Sequence, residues 1–166
     1  MPAPTHEHIK EMGPEVYPFE RKNDGSKVGT GEDIVFQKNI YNATDEDGGR
    51  PENTIIVKRD EIETNKKYGK YLWVIDKNGL CFILEATSNP AASRGFVCHT
   101  NITGGGQALQ GGELWFGENN YIYINFWSGR YGASTINHSI GVIEYFKFVG
   151  YSKVEVLDPL FPQSVM

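Results

Sequence analysis

Residues 71–85, YLWVIDKNGLCFILE, contain two apolar runs separated by an Asn-Gly pair. Asn-Gly favours a tight hairpin turn, so the sequence predicts a strand over 71–76 that returns as an antiparallel partner over 80–85. Both runs are almost continuously apolar, which is typical of strands that are covered on both faces. We therefore expect this hairpin to lie at the centre of its sheet.

A second hairpin is predicted downstream, with strands over 113–116 and 121–126 joined across residues 117–120. In the second of these strands, YIYINF, Ile122, Ile124 and Phe126 alternate onto one face. Further strands are predicted with shorter or more mixed patterns, at residues 16–19, 33–40, 54–58, 95–100 and 153–157.

One long helix is predicted near the C-terminus. Ser134 or Thr135 can cap it, and Gly150 suits the position after its end at about Val149. Its expected apolar side consists of Ile136, Ile140, Ile143 and Phe146 or Lys147. Residues 60–67 favour a short helix or an exposed turn. The sum predicts an α+β fold: a mainly antiparallel sheet with one amphipathic helix from the C-terminal half packed on it.

The chain of 166 residues is the size of one domain. Residues 1–14 contain three prolines, which disfavour regular structure, and predict a flexible N-terminal arm with one helical turn at most. Residues 15–166 are then expected to form a single globular domain.

The composition and the net charge limit the classes of partner that are expected for this chain. The net charge of −5, without a basic block, makes nucleic acid an unfavourable partner. No apolar stretch approaches the roughly 20 residues needed to span a bilayer, so no membrane partner is expected. The N-terminus lacks the apolar core of a signal peptide, which predicts a cytoplasmic protein or one exported without a classical signal peptide. Cys81 and Cys98 are read as free thiols.

The sequence predicts no metal site. His6 and His8 lack further ligands nearby, and the acidic loop 42–53 lacks the residue order of a calcium-binding EF-hand.

The most unusual composition lies in residues 94–131, RGFVCHTNITGGGQALQGGELWFGENNYIYINFWSGRY. Gly104, Gly105 and Gly106 indicate a backbone with positive φ or a close approach by another group, which can be a ligand or the packed sheet. The loop matches neither a Walker A sequence nor the dinucleotide fingerprint.

Side chains on either side of this loop are candidates for a site. His99 and Glu113 can serve as catalytic acid and base, and Thr100 shares the predicted strand end with His99. A hydrogen-bonded structural histidine is the alternative. Ser128, Arg130 and Tyr131 lie at the joint between the second hairpin and the helix, and are expected to bind substrate with Thr100 and the three glycines. Arg130 can hold a phosphate or carboxylate as a fork, or pair with a carboxylate of the chain.

The order His99-Thr100-x-Ile102-x-Gly104-Gly105, then Gly112-Glu113-Leu114, then Ser128-Gly129-Arg130-Tyr131, resembles a known domain across about residues 70–157. That domain is marked by HSS…GG…AGE…SGHY. It occurs in plant IQ-motif calmodulin-binding proteins and at the C-terminal ends of bacterial polymorphic (Rhs-type) toxins. Thr100 and Asn101 stand where that family has two serines, and Arg130 stands where it has histidine. No IQ motif is present, so the resemblance implies a toxin or effector domain and not calmodulin binding.

A fainter likeness is to ADP-ribosyltransferase toxins, in which a strand ending in Ser-Thr-Ser supports the NAD site. Residues 96–100, FVCHT, are similar to that strand, Arg59 resembles the arginine of its first strand, and Glu113 or Glu155 resembles a family glutamate.

This second likeness implies ADP-ribosyl transfer, with NAD as the substrate. Arg130 or Arg59 would hold the pyrophosphate, Tyr131 would stack on a ring, and Glu113 would orient the ribose or the acceptor. The implied partners are a small-molecule or protein substrate and an immunity or host protein.

The competing hypothesis is a non-enzymatic protein- or ligand-binding module that uses an aromatic surface around residues 115–131.

Overall fold

The computed structural model describes residues 3–19, 28–43, 51–132 and 135–157. These residues form a six-stranded sheet with the order β1-β3-β2-β4-β5-β6. The strands are β1 (Tyr41–Asn42), β2 (Tyr71–Asp76), β3 (Gly79–Leu84), β4 (Gln110–Phe116), β5 (Tyr121–Asn125) and β6 (Lys153–Val156). The helices are α1 (His6–Met12), α2 (Arg59–Thr64), α3 (Thr100–Thr103) and α4 (Ile136–Val149), with 3₁₀ turns at Gln37–Asn39 and Glu118–Asn120.

Both predicted hairpins are confirmed. β2 and β3 pair antiparallel up to Asp76 opposite Gly79, and the Asp76 carboxylate accepts hydrogen bonds from the turn amides of Asn78 and Gly79, at 2.8 and 3.1 Å. β2 lies between β3 and β4 in the middle of the sheet, as its unbroken apolar run indicated. β4 and β5 form the second hairpin.

The sheet is mixed, although four of the pairings between described strands are antiparallel. β6 pairs parallel with β5, with Tyr121 opposite Lys153 and Ile124 opposite Val156. Parallel neighbours require a long crossover, which α4 supplies. The predicted α+β class and mainly antiparallel sheet therefore stand, with one parallel pairing at the β6 edge.

One face of the sheet holds the main core. Trp73, Phe116 and Phe126 are buried there against Tyr145 and Phe146 of α4. The opposite face is also apolar, but separate segments cover it: α2 packs over Trp115 and Tyr123, and the chain from Phe36 to Ile40, with Ile102 of α3, packs over Leu72 and Ile83. The second face is therefore covered by separate segments and not by one continuous layer.

The buried side of α4 overlaps the predicted one only in part, because Phe146 is buried and Ile143 packs against the core, but the other two isoleucines are exposed. Ile136 and Ile140 are 48% and 45% exposed, whereas Val142, Tyr145, Phe146 and Val149 are buried. The helix is turned because α1 packs on it at close range: a Cβ atom on Gly141 would lie 2.8 Å from the backbone of Glu11. Thr135 caps the helix by accepting from the amide of His138 at 3.1 Å, and Ser134 lies outside the described residues.

Val142→Ala is expected to lower the free energy of unfolding by about 2 kcal/mol, since two buried methyl groups are lost and a cavity remains. Ile140→Ala, on the predicted but exposed side, should change it by less than about 0.5 kcal/mol. Urea denaturation of both variants checks this. Equal losses of stability in the two variants would mean that Ile140 is buried as deeply as Val142.

The N-terminal segment also departs from its prediction. The seven-residue helix α1 exceeds one turn, Thr5 caps it, and Met12 is fully buried in the main core. The described part of residues 1–14 is therefore packed on α4 and is not a loose arm. The apolar contact of Met12 and the capping by Thr5 offset the effect of the prolines.

Several predicted strands are absent from the described residues. Gly95–Thr100 makes one bridge, Phe96 with Ser88, and then enters α3. The side chain of Asn101 explains this, because its Oδ1 accepts from the amide of Cys98 at 2.9 Å and closes the chain into a turn. Residues 16–19 and 54–58 likewise make single bridges, and 33–40 contains a 3₁₀ turn. Of residues 60–67, for which a short helix or an exposed turn was predicted, 60–64 belong to α2 and the rest lie in the turn after it. Loop residues 44–50 lie outside the described part.

Candidate functional site

A cleft of about 340 Å³ opens on the second face of the sheet, beside β4 and β5. We call it the Glu113 cleft. Glu113 reaches this face because residues of a strand alternate between faces and its neighbours Gly112 and Leu114 point toward the main core. The cleft is lined by Arg59, Ile62, Glu63, Lys66, Lys70, Glu113, Trp115, Asn125, Trp127 and Leu157.

The Glu113 carboxylate is held at both oxygens. Its Oε1 accepts from Asn125 Nδ2 at 3.0 Å, and its Oε2 lies 3.1 Å from Lys70 Nζ. The Lys70 ammonium also lies 3.5 Å from Glu85. One ammonium thus serves two carboxylates, and this cluster carries a net negative charge while orienting Glu113.

Asn125 holds two backbone amides near this carboxylate. Its Oδ1 accepts from the amides of Glu113 and Trp127, both at 3.0 Å, while its Nδ2 holds the Glu113 side chain. Asn125 is buried, and a buried amide side chain is stable only when its polar atoms are paired. It therefore couples the position of Glu113 to that of Trp127.

Arg59 forms one rim of the cleft, at the start of α2. Its Nε lies 2.6 Å from Glu155 of β6, and its Nη1 lies 2.8 Å from Glu63. The hydrogen bond to Glu155 raises the pKa of Arg59 above its ordinary value. The guanidinium is more than a third exposed, so it can exchange these partners for an anionic ligand.

Two tryptophans supply the aromatic wall. Trp115 is 2% exposed and packs with Val57, Ile62 and Tyr123, and Lys70 Nζ lies 6.0 Å from its ring centre. Trp127 is half-buried. Within the described chain, the Trp115 indole N–H has no hydrogen-bond acceptor.

Arg130 lies elsewhere, in a buried ion pair. It is 2% exposed, and its Nε and Nη2 donate to the two carboxylate oxygens of Glu32 at 3.0 and 2.9 Å. Its Nη1 donates to the carbonyl of Phe19 at 2.9 Å. The guanidinium fork that was predicted to bind substrate is thus occupied by a carboxylate of the chain.

Thr100 contacts the ion pair of Arg130 and Glu32. Its hydroxyl donates to Glu32 Oε1 at 3.1 Å and lies 3.1 Å from the Cys98 thiol, whose pKa is raised by burial. Glu32 and Cys98 line a second cavity of about 370 Å³ between residues 29–32 and 91–98. The thiol is in its protonated, unreactive form at neutral pH.

His99 is buried at the start of α3, where its Nε2 lies 2.7 Å from the carbonyl oxygen of Gly112. That carbonyl belongs to the peptide bond joining Gly112 to Glu113. His99 does not line the Glu113 cleft as the described residues form it. The structure therefore places its ring against the backbone of β4 and the carboxylate of Glu113 in the cleft.

The glycine loop and the Ser-Gly-Arg-Tyr segment close on one another. Gly104 and Gly105 have φ of 68° and 86° at the end of α3, where glycine is favoured. Tyr131 OH donates to Gly106 O at 2.6 Å, and burial raises the pKa of Tyr131 to about 12. Ser128 Oγ accepts from the amide of Tyr131 at 2.9 Å.

Of the predicted site residues, Glu113 lines the cleft and His99 contacts the backbone of β4. The others lie away from the cleft and form hydrogen bonds with one another or with Glu32 and Phe19: Thr100, Ser128, Arg130, Tyr131 and the glycine loop. Sequence reasoning missed Lys70, Asn125 and Glu32. The sequence does give an indication for Asn125: it is a polar residue placed directly between two apolar residues, Ile124 and Phe126, at the end of a strand. No pattern in the residues around Glu32 indicated that its carboxylate would be paired.

Comparison of the chain with protein-family models, with curated proteins and with solved structures gives no match. No helix among the described residues is long and apolar enough to cross a bilayer. Across the same residues, no three or more His, Cys, Asp or Glu side chains are grouped to hold a metal ion.

Proposed function

We propose that this chain is a toxin- or effector-type catalytic domain that transfers ADP-ribose from NAD in the Glu113 cleft. The observation that carries the proposal is the Glu113 carboxylate, fixed by Asn125 and Lys70 on the wall of a cleft that also contains two tryptophans and Arg59. An oriented carboxylate, an aromatic wall and cations at the rim suit a nucleotide with a positively charged ring.

In this reaction the bond between nicotinamide and ribose breaks, and nicotinamide leaves with the electron pair. The ribose carbon becomes cationic, and the negative Glu113 carboxylate stabilises that charge and accepts a hydrogen bond from a ribose hydroxyl. A nucleophile of the acceptor then forms a bond to the same carbon and releases its proton. Lys70 and Asn125 keep the carboxylate in place throughout.

The residues proposed to bind NAD differ from two of those first predicted. Arg59 is favoured over Arg130 for the pyrophosphate, because Arg130 is buried on Glu32 and Arg59 lies at the rim. Lys66, which is exposed on the same rim, can share that role. Trp127 is favoured over Tyr131 for stacking, because Tyr131 is fully buried and Trp127 is not.

The test is a thermal-shift and turnover assay with NAD. NAD should raise the melting temperature, and nicotinamide should be released. Glu113→Gln should reduce release about a hundredfold while the protein stays folded, since the stabilising charge is lost and the shape is kept. Glu144→Gln, the same change at an exposed position of α4 away from the cleft, should keep most of the activity. If NAD does not shift the melting temperature of the native protein and no nicotinamide is released, NAD is refuted as the substrate.

The second candidate function is a non-enzymatic binding module, and the half-buried Trp127 beside Trp115 favours it. Aromatic anchors at the edge of a cleft are typical binding hot spots. Such a module should tolerate Glu113→Gln and lose its ligand or protein partner on Trp127→Ala. An enzyme should show the larger loss with Glu113→Gln, so the two variants separate the two functions.

A further inference from the structure

The indole N–H of Trp115 is a buried donor without a partner in the described residues. Buried polar groups are nearly always paired, because a buried donor without an acceptor has lost its hydrogen bond to water and gained none in return. Trp73 offers the contrast within the same sheet, because its N–H donates to the carbonyl of Glu113 at 3.0 Å. The fold supplies an acceptor to one indole and leaves the other, on the cleft wall, without one.

The charges beside Trp115 indicate what kind of acceptor would suit it. Lys70, 6.0 Å from the ring centre, is shared by the carboxylates of Glu85 and Glu113. Lys70, Glu113 of the cleft and Glu85 behind Lys70 together carry a net negative charge, which disfavours a carboxylate on a ligand beside them. A neutral carbonyl can accept from the indole N–H, and an amide NH₂ next to it can donate to a carboxylate.

We infer that Trp115 determines ligand specificity in the Glu113 cleft by donating its indole N–H to the carbonyl of an aromatic carboxamide. The inference rests on the cleft being the ligand site of the proposed function. Because the N–H is shielded from water, binding includes a small rearrangement of the cleft wall that brings the carbonyl to it. The same interaction orients the ring, so it sets which end of a dinucleotide lies beside Glu113.

Isothermal titration calorimetry with nicotinamide, nicotinate and pyridine tests the inference on the native protein. Nicotinamide should bind at least about tenfold more tightly than pyridine, which lacks the carbonyl, and more tightly than nicotinate, which carries a negative charge. Equal binding of nicotinamide and pyridine would overturn the inference without any variant.

Trp115→Phe removes the N–H and keeps an aromatic ring. The variant should bind nicotinamide about tenfold more weakly than the native protein and should no longer distinguish it from pyridine. Unchanged affinity for nicotinamide would overturn the inference while NAD turnover by the native protein still supported the proposed function. Nicotinamide selectivity without release from NAD would uphold the inference and refute the reaction. No binding of NAD or nicotinamide would refute both.

Discussion

Arg130→Met is expected to lower the free energy of unfolding by about 3–5 kcal/mol, although residue 130 lies outside the proposed cleft. The substitution leaves Glu32 as a buried carboxylate without the guanidinium that now binds both of its oxygens. Removing one partner of a buried ion pair is costly, because the remaining charge stays out of water without compensation. Loss of the hydrogen bond to Phe19 adds to the effect.

Urea denaturation of Arg130→Met, Glu32→Gln and the double variant measures this. The double variant should be more stable than the sum of the two single losses predicts, because neither charge is then left unpaired. Arg59→Met is the matched control, since its ion pair with Glu155 is about a third exposed and should contribute about 1 kcal/mol or less. Equal losses from Arg130→Met and Arg59→Met would contradict a buried pair.

Gly112→Ala is expected to cost more than about 3 kcal/mol and to lower the melting temperature by about 6–12 °C. An added Cβ would lie 2.1 Å from the carbonyl oxygen of Asn125 and 2.7 Å from the Trp73 ring. The first is backbone of the neighbouring strand, and the second is a fully buried core side chain, so neither can move away easily. The variant should also disturb Glu113, which follows directly.

Gly132→Ala is the control for this substitution, because the nearest atom to its added Cβ is 3.8 Å away. Its melting temperature should differ from that of the native protein by no more than about 2 °C. Differential scanning calorimetry of both variants provides the measurement. A Gly112→Ala protein as stable as Gly132→Ala would show that β4 and β5 are not as close as the structure has them.

Three residues of the sequence pattern that predicted a toxin-type domain form hydrogen bonds within this chain. Thr100, Arg130 and Tyr131 all form hydrogen bonds inside the covering of the second sheet face, with Glu32, Phe19 and Gly106 as their partners. Arg130 forms a buried ion pair with Glu32. Glu113, from the same pattern, is the motif residue that lines the cleft. The proposed chemistry therefore depends on one motif residue and on Lys70 and Asn125 outside the motif.

Local features of the structure could be predicted from the sequence. Asn78-Gly79 and the apolar runs around it specify the central hairpin, and Thr135 and Gly150 mark the ends of α4. These features depend on residues within a few positions of one another, so local propensity and local hydrogen bonds are enough to specify them.

The tertiary structure decided the rest. The pairing of Glu32 with Arg130 joins residues 98 positions apart, and nothing near either residue indicates the other. Close packing of α1 on Gly141 selected the buried side of α4, and the crossover through α4 made β6 parallel to β5. Asn125 became part of a site only when the register of β4 and β5 placed it opposite Glu113. The reason is physical: a residue's neighbours along the chain set its local conformation, whereas burial, charge pairing and cleft geometry depend on segments that only folding brings together.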